Sequence, residues 1–237
     1  MLHRNIFKIP LFIGILFLAT GLGFETVYAK DSGSKDASEQ AEHMDKARDA
    51  YQELLNIPDQ KIPQDLLARA KCVAVFPGVV KGALGWGGRY GHGVMSCRDT
   101  NGQWSPPSFV TIAGGSVGFQ IGVEKDAIVL FFMTEDGARS LVKSKFTLGG
   151  KGSVAAGPFG RTAEASTDVK LNAEIYSYAK SKGLFAGISL EGAKLSADNE
   201  ANKKFYGSPV SAEQILFDHK TPTTPAAASR FTEVLPH

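Results

Sequence analysis

Two cysteines and one histidine are the residues of this chain whose types and spacing could do covalent chemistry. Cys72 and Cys97 are its only cysteines, and an even pair in an exported protein predicts a disulfide. A nucleophile formed by Cys97 and His92 is the alternative, although an odd spacing puts the two side chains on opposite faces of a regular strand. No second histidine stands at metal-ligand spacing from either cysteine, so the sequence predicts no metal site.

The glycine-dense segment GWGGRYGHGV, residues 85–94, could cradle a phosphate or form part of a sheet. A dinucleotide loop needs the spacing G-x-G-x-x-G before a helix, but Tyr90 occupies the third glycine position and strand-like residues follow. A phosphate-binding G-K-[ST] ending is also missing from the sequence. Similar glycine-bearing segments recur as AGGSVGFQIG, LGGKGSVAAGPFG and LFAGISLEG, and this recurrence predicts a curved sheet.

The sequence contains no motif that predicts catalysis. It has neither an H-E-x-x-H pattern nor a G-x-S-x-G elbow, and the acidic pair Glu135 and Asp136 fits the start of a helix. With 26 basic and 24 acidic residues, the net charge of +2 does not favour nucleic acid as a partner. We therefore predict a non-enzymatic protein without a cofactor.

The N-terminus has the pattern of a bacterial signal peptide. Arg4 and Lys8 precede an apolar run over residues 10–24, and Val27 and Ala29 occupy the −3 and −1 positions of a cleavage site. We predict cleavage after Ala29 and a periplasmic or secreted protein, peripheral to the membrane if it binds lipid. A polar linker over residues 30–36 and a proline-rich tail over residues 218–237 are predicted to be disordered.

Between these segments the sequence predicts an α+β fold. Helices are expected over residues 37–56 and 64–71, after Thr134, after an Asp198 cap and over SAEQILF, with a hairpin turn ending at Gly183. Five short strands are expected in CVAVFP, HGVMSC, SFVTIAGG, SVGFQIGV and AIVLFFM. Together they predict a curved, glycine-rich antiparallel β-sheet or partly closed barrel, with N-terminal helices, one central short helix and a C-terminal helix.

Four segments resemble the SYLF domain family: VAVFPGVVKGALGWGGRYGHGVMSCR, GGSVGFQIGVEKDAIVLFFM, NAEIYSYAKSKGLFAGISLEGAKL and NKKFYG. The resemblance indicates a single SYLF-like domain over residues 37–217. It implies a membrane-binding domain of mixed α and β structure, whose eukaryotic relatives are tied to phosphoinositides and actin. Because neither is normally available in a periplasm, it implies an anionic membrane lipid as the partner here, with an envelope protein as the second option and actin not expected.

The resemblance also implies a role for the first helix, which contacts lipid in eukaryotic relatives. Here that helix has a formal charge of −3 from five acidic and two basic residues, and its stripe of Met44, Tyr51 and Leu55 is interpreted as core packing. Basic residues elsewhere, with one aromatic at the hairpin, are the better lipid-contact candidates: Lys81, Arg89, Lys143, Lys145, Lys151, Arg161, Lys180, Lys182 and Phe185.

Three functions remain open from the sequence. The first is a lipid-binding protein of the cell envelope that contacts anionic headgroups through a local basic patch. The second is a protein-interaction or scaffolding module that does not bind lipid. The third is a barrel enclosing an apolar small molecule, with a lining of Phe109, Phe119, Phe131 and Phe132.

Overall fold

A computed structural model of the chain describes residues 26–57, 62–143, 146–150, 153–158 and 173–236. Its helices are α1 (Thr26–Leu55), α2 (Gln64–Arg69), α3 (Glu135–Lys143), α4 (Asn199–Tyr206), α5 (Ala212–Leu216) and α6 (Ala226–Thr232). Its strands are β1 (Cys72–Cys97), β2 (Ser108–Phe132), β3 (Phe146–Thr147), β4 (Val154–Ala156), β5 (Ile175–Ser181), β6 (Leu184–Gly187) and β7 (Lys194–Ala197).

The two long strands form an antiparallel ribbon that is folded in half. β1 and β2 pair from Cys72 opposite Phe132 to Met95 opposite Ser108, with a register shift between Ala83 and Gly85. A regular strand of 26 residues would be about 85 Å long. The α-carbons of its first and last residues are nevertheless only 4.0 Å apart. The first arm of β1, residues 72–82, therefore lies beside its second arm, residues 87–97.

The long ribbon replaces the five separate strands that the sequence predicted in this region. Glu124 and Lys125, which lie between two of the expected strands, are themselves paired, opposite Lys81 and Val80. Glycine allows these strands to stay continuous. Where bulky side chains are missing, a strand can bend and coil sharply without losing its hydrogen bonds to the neighbouring strand. The predicted curved, glycine-rich and mostly antiparallel sheet is confirmed.

The remaining strands extend the sheet from both halves of β2. β5 pairs antiparallel with residues 127–132 and β7 with residues 110–113. β3 pairs with β7, and β6 pairs antiparallel with β5, whereas β4 is parallel to β5. The sheet is therefore mixed but mostly antiparallel, and with the helices it confirms the α+β fold class.

Hydrophobic cores lie on both faces of the sheet. One core includes Val73, Val75 and Phe131 with residues of α1, α2, α4 and α6, and the other includes Ala74 and Phe132 with residues of α3. Successive strand residues alternate between the two cores, as a pleated strand requires. Because Phe131 and Phe132 belong to opposite cores, the predicted lining of one enclosed cavity is wrong. The side chain of Phe119 lies outside the described part of the chain.

Helix α1 packs on the first core through its apolar stripe. Met44, Ala47, Tyr51 and Leu54 are at most 1% exposed, which confirms the interpretation of this stripe as core packing. The helix begins at Thr26 rather than near residue 37, so the backbone of the predicted linker over residues 30–36 is helical. Cleavage after Ala29 stays a prediction.

The C-terminal segment contradicts the prediction of a disordered tail. Helix α6 follows Pro225, and Ala227, Phe231 and Leu235 are at most 3% exposed. Ala227 and Phe231 lie four apart on one face of α6, Leu235 follows just after the helix, and all three pack on the first core. The prediction overlooked this short apolar period because prolines and threonines dominate the preceding residues.

Several local predictions are confirmed. The side chain of Asp198 accepts a hydrogen bond from the Ala201 amide at 3.0 Å, and Gly207 ends α4 in the left-handed conformation with φ of +78°. The β5–β6 turn has positive φ at Lys182 and Gly183. Thr134 precedes α3, but its hydroxyl is buried without a hydrogen-bond partner among the described residues, so its expected side-chain cap is not formed.

The two cysteines form the predicted disulfide, which joins the ends of β1. Cys97 is therefore unavailable as a nucleophile for His92, and that alternative is wrong. Across the described ranges no three His, Cys, Asp or Glu side chains converge as a metal site requires. Among the helices of the same ranges, none has the length and apolarity needed to span a membrane.

Candidate functional site

Lys81 and Arg89 flank a buried carboxylate rather than forming a free basic patch. Lys81 makes an ion pair with Asp126, whose side chain is 1% exposed. Neither carboxylate oxygen of Asp126 accepts a hydrogen bond from a described residue, so its charge is balanced by ion pairing alone. Burial lowers the pKa of Arg89, and the nearby charge of Asp126 opposes that shift. Lys81 therefore neutralises the charge of Asp126 within the ribbon, and Arg89 lies close enough to interact with the same charge.

The two lysines of the β5–β6 hairpin are placed differently from each other. Lys180 Nζ lies 2.7 Å from Glu53 Oε1 and ties β5 to α1. Lys182 Nζ lies 2.7 Å from Glu124 Oε1 on β2, and this hydrogen bond raises the pKa of Lys182. With its side chain 76% exposed, Lys182 stays available to an external anion.

The hairpin exposes Leu184 rather than Phe185. Phe185 is 4% exposed and stacks on Tyr178 with ring centroids 5.4 Å apart, so its predicted role as an inserting side chain is wrong. Leu184, on the opposite face of the same strand, is 75% exposed. The sequence predicted an exposed apolar side chain in this hairpin but assigned it to the wrong one of two adjacent residues.

The remaining basic candidates do not join this region. Lys143 is exposed at the end of α3, which packs against the second core on the other face of the sheet. Lys145, Lys151 and Arg161 lie outside the described residues. The nine predicted residues thus do not form one described patch.

Exposed apolar side chains and lysines lie toward the bent end of the ribbon, on the two faces of the sheet, and we call this region the ribbon-end surface. It comprises Val80, Tyr90, Lys125, Lys182 and Leu184. Val80, Tyr90 and Leu184 are the exposed large apolar residues of the described chain, at 45%, 50% and 75%. Val80 pairs with Lys125 across the ribbon, and the ion pair of Lys182 with Glu124 holds the hairpin beside that pair. Among the nine predicted residues, only Lys182 contributes to this surface.

A groove of about 500 Å³ opens beside this surface, between α1 and the ribbon. Val80, Tyr90 and Lys125 line it from the ribbon, and His43 and Lys46 line it from α1. His92 also lines it, with Nε2 at 3.3 Å from the Tyr90 hydroxyl and Nδ1 at 3.5 Å from Asp198 Oδ2.

His43 is the least satisfied polar group of the groove. Its ring lies 6.3 Å from that of His92, and its Nε2 atom is buried without a hydrogen-bond partner among the described residues. Burial lowers the pKa of His43, and the neighbouring His92 lowers it further. Sequence reasoning missed this site because it joins α1 to residues about 50 positions later. The one hint in the sequence is that His43 stands directly beside Met44 of the apolar stripe of α1.

The fold and this surface define an α+β domain that presents apolar and cationic side chains together at one end. A model of the family described as Ysc84, Las17-binding protein actin regulator, matches residues 113–237. That match covers more than half of the chain, and the chain belongs to this family, the SYLF domain family.

Similar proteins come from fungi and animals. LAS seventeen-binding protein 3 of Saccharomyces cerevisiae is 42% identical over 161 residues, covering 67% of this chain and 35% of the relative. SH3 domain-containing YSC84-like protein 1 is 42% identical over 164 residues in Xenopus laevis, covering 68% and 49%. The Homo sapiens protein of the same name is 39% identical over 181 residues, covering 76% and 52%. The chain thus spans about a third to a half of the length of these relatives.

Proposed function

We propose that this protein is a non-enzymatic lipid-binding protein of the bacterial cell envelope that contacts anionic membranes through the ribbon-end surface. Export by the N-terminal signal segment and a periplasmic or secreted location are part of this proposal. The observation that carries it is that the exposed large apolar residues Val80, Tyr90 and Leu184 lie at the same end of the ribbon as the exposed Lys125 and Lys182. Exposed apolar side chains grouped with cations suit the interface of an anionic bilayer.

The expected binding free energies favour a peripheral, reversible contact with the membrane. Each lysine close to an anionic surface contributes on the order of 1 kcal/mol, and this contribution decreases as salt screens the charges. Insertion of Leu184 adds a similar apolar contribution, at roughly 25 cal/mol for each Å² removed from water. Two lysines and three apolar side chains together support binding to vesicles at low salt, with weaker binding at high salt.

Helix α1 is not the membrane contact in this proposal. Its apolar stripe is occupied by the core, and its carboxylates tie it to three other elements. Asp36 pairs with Lys204, Asp45 with Arg230, and Glu53 with Lys180. An acidic helix held in this way would have to break these contacts and then approach a surface of its own sign.

A protein-interaction module that does not bind lipid is the second candidate function. The family description names Las17-binding proteins, and the animal relatives are named for an SH3 domain, so protein association is a feature of the names in this family. In this alternative the ribbon-end surface would contact an envelope protein, and Val80, Tyr90 and Leu184 would be the apolar anchors.

Vesicle flotation of the chain from Lys30 onward tests the proposal. We expect binding to vesicles containing phosphatidylglycerol, weaker binding at high salt, and no binding to phosphatidylcholine alone. Leu184→Ser and Lys182→Gln should each reduce binding about fivefold, as expected for the loss of about 1 kcal/mol. Lys143→Gln is the matched control, since it removes an exposed lysine at the end of α3, outside the ribbon-end surface, and should leave binding unchanged.

Two results would contradict the proposal. Absence of flotation under every lipid and salt condition would leave the protein-interaction module as the better candidate. Equal losses in Lys182→Gln and Lys143→Gln would mean that net charge, rather than the ribbon-end surface, governs membrane binding.

A further inference from the structure

The groove between α1 and the ribbon is continuous with the ribbon-end surface. Val80, Tyr90 and Lys125 belong to both, so a molecule lying against that surface has direct access to the groove. The far wall of the groove is formed by His43 and Lys46 of α1. A ligand in the groove would therefore contact the polar side chains of His43 and Lys46. The part of the ligand outside the groove would lie against Val80 and Tyr90.

Most carboxylates of the groove already have cationic partners. Glu53 is paired with Lys180 at 2.7 Å, and Asp49 with Arg48 at 2.6 Å. Lys46 is paired with Glu42, also at 2.7 Å. A neighbouring depression shares His43, Lys46 and His92 and adds Glu39, Glu200 and Lys204. The charges that line the groove itself balance, whereas the depression carries Glu39, Glu42, Asp198 and Glu200 against only Lys46 and Lys204. An anion is therefore favoured at the Lys125 side of the groove rather than in the depression.

Two groups in the groove remain unmatched. Lys125 is exposed and makes no ion pair with a side chain in the described ranges. His43 Nε2 is buried without a partner in the same ranges, and a buried polar atom of this kind costs free energy unless a ligand or water satisfies it. The Tyr90 hydroxyl, at 3.3 Å from His92 Nε2, adds a donor that can rotate toward a ligand. A lysine cation, an imidazole nitrogen that can take up a proton and a hydroxyl donor together suit an oxyanion.

We propose that this groove binds the phosphate group of an anionic lipid headgroup, with Lys125 supplying charge and with protonated His43, through Nε2–H, and the Tyr90 hydroxyl donating hydrogen bonds. This inference rests on the proposed function and names the site that reads the headgroup. Val80 at the rim would face the glycerol and the first methylenes of the lipid. The same donors would accept free phosphate, because the recognised chemistry is the phosphate oxygens.

The histidine side-chain NMR spectrum of the chain from Lys30 onward provides a direct readout. Inorganic phosphate and phosphatidylglycerol nanodiscs are the two probes, with phosphatidylcholine nanodiscs as the control. We expect both phosphate-bearing probes to shift the His43 signals and to raise the apparent pKa of His43, with the larger effect from the lipid. Lys125→Gln should reduce both responses at least fivefold, whereas Lys143→Gln should not.

The Lys125→Gln variant should fold like the wild type, because Lys125 is exposed and is not part of either core. Vesicle binding that Lys182→Gln weakens, without a His43 response to either probe, would overturn the groove inference while the proposed function stands. A His43 response to inorganic phosphate without any vesicle binding would support a phosphate site and overturn the lipid source, and with it the proposed function. No response to either probe and no vesicle binding would overturn both.

Discussion

The α-carbon of Cys72, the first residue of β1, lies 4.0 Å from that of Cys97, the last residue of the same strand. The disulfide therefore fastens the two ends of a strand that has turned back on itself. Both cysteines are at most 1% exposed, and the Arg98 amide donates to the Lys71 carbonyl at 2.7 Å just beyond them. The folded ribbon is thus closed covalently and by hydrogen bonding at the end opposite the ribbon-end surface.

Removing the disulfide should destabilise the protein substantially. The bond closes a loop with a sequence separation of 25 residues, for which the chain-entropy relation gives about 3.5 kcal/mol. We expect the Cys72→Ala/Cys97→Ala double variant to lose about that much unfolding free energy in urea titrations. The wild type measured in reductant is the control and should approach the variant. Equal midpoints for the oxidised wild type and the variant would contradict this role of the bond.

Gly93 should tolerate no side chain, because the two arms of β1 approach each other there. A Cβ atom at this position would lie 2.5 Å from the Val75 carbonyl oxygen and 2.5 Å from the Phe76 ring. Gly93→Ala should therefore cost about 1–3 kcal/mol of stability through overpacking. Gly82→Ala is the matched control, since a Cβ there meets nothing within 4 Å. Thermal unfolding that ranks the two variants equally would be inconsistent with closely packed arms.

The features that the sequence predicts correctly are set by near neighbours. The Asp198 cap bonds a residue three positions later, and the β5–β6 hairpin turns over two residues whose conformation glycine favours. The recurring glycine-bearing segments similarly predict a curved sheet. Local rules of this kind need no knowledge of what packs against an element.

The features that it predicts incorrectly depend on distant partners. In the hairpin, Lys180 lies opposite Phe185 and Ser181 opposite Leu184, and only the position of Tyr178 and α1 determines which face is buried. The residues around Lys81 suggest an exposed lysine without a partner. In the structure it makes an ion pair with Asp126, 45 residues later in the chain. The groove of His43 and His92 likewise exists only after α1 has docked on the ribbon.

The C-terminal helix should be required for stability. Phe231 is fully buried against the first core, and the Pro236 carbonyl accepts a hydrogen bond from Trp104 Nε1 at 2.9 Å. Phe231→Ala should lower the unfolding free energy by about 3–5 kcal/mol, as for other large core truncations. The exposed Glu233→Ala serves as the control within the same turn. A Phe231→Ala variant as stable as wild type in urea would mean that the tail does not belong to the core.

His43 should make the protein less stable in mild acid. Burial and the adjacent His92 lower its pKa in the folded state below the ordinary value of 6.5, so the unfolded chain binds more protons than the folded one as the pH falls below that value. Stability therefore decreases in this range, from its full value above pH 6.5 until the pH passes the folded pKa. We expect urea midpoints measured from pH 7.5 to 5 to decrease in the wild type and to decrease less in His43→Gln. His219→Gln, which removes a histidine that does not line the groove, is the matched control. Identical slopes in wild type and His43→Gln would show that His43 is not the group that couples folding to pH.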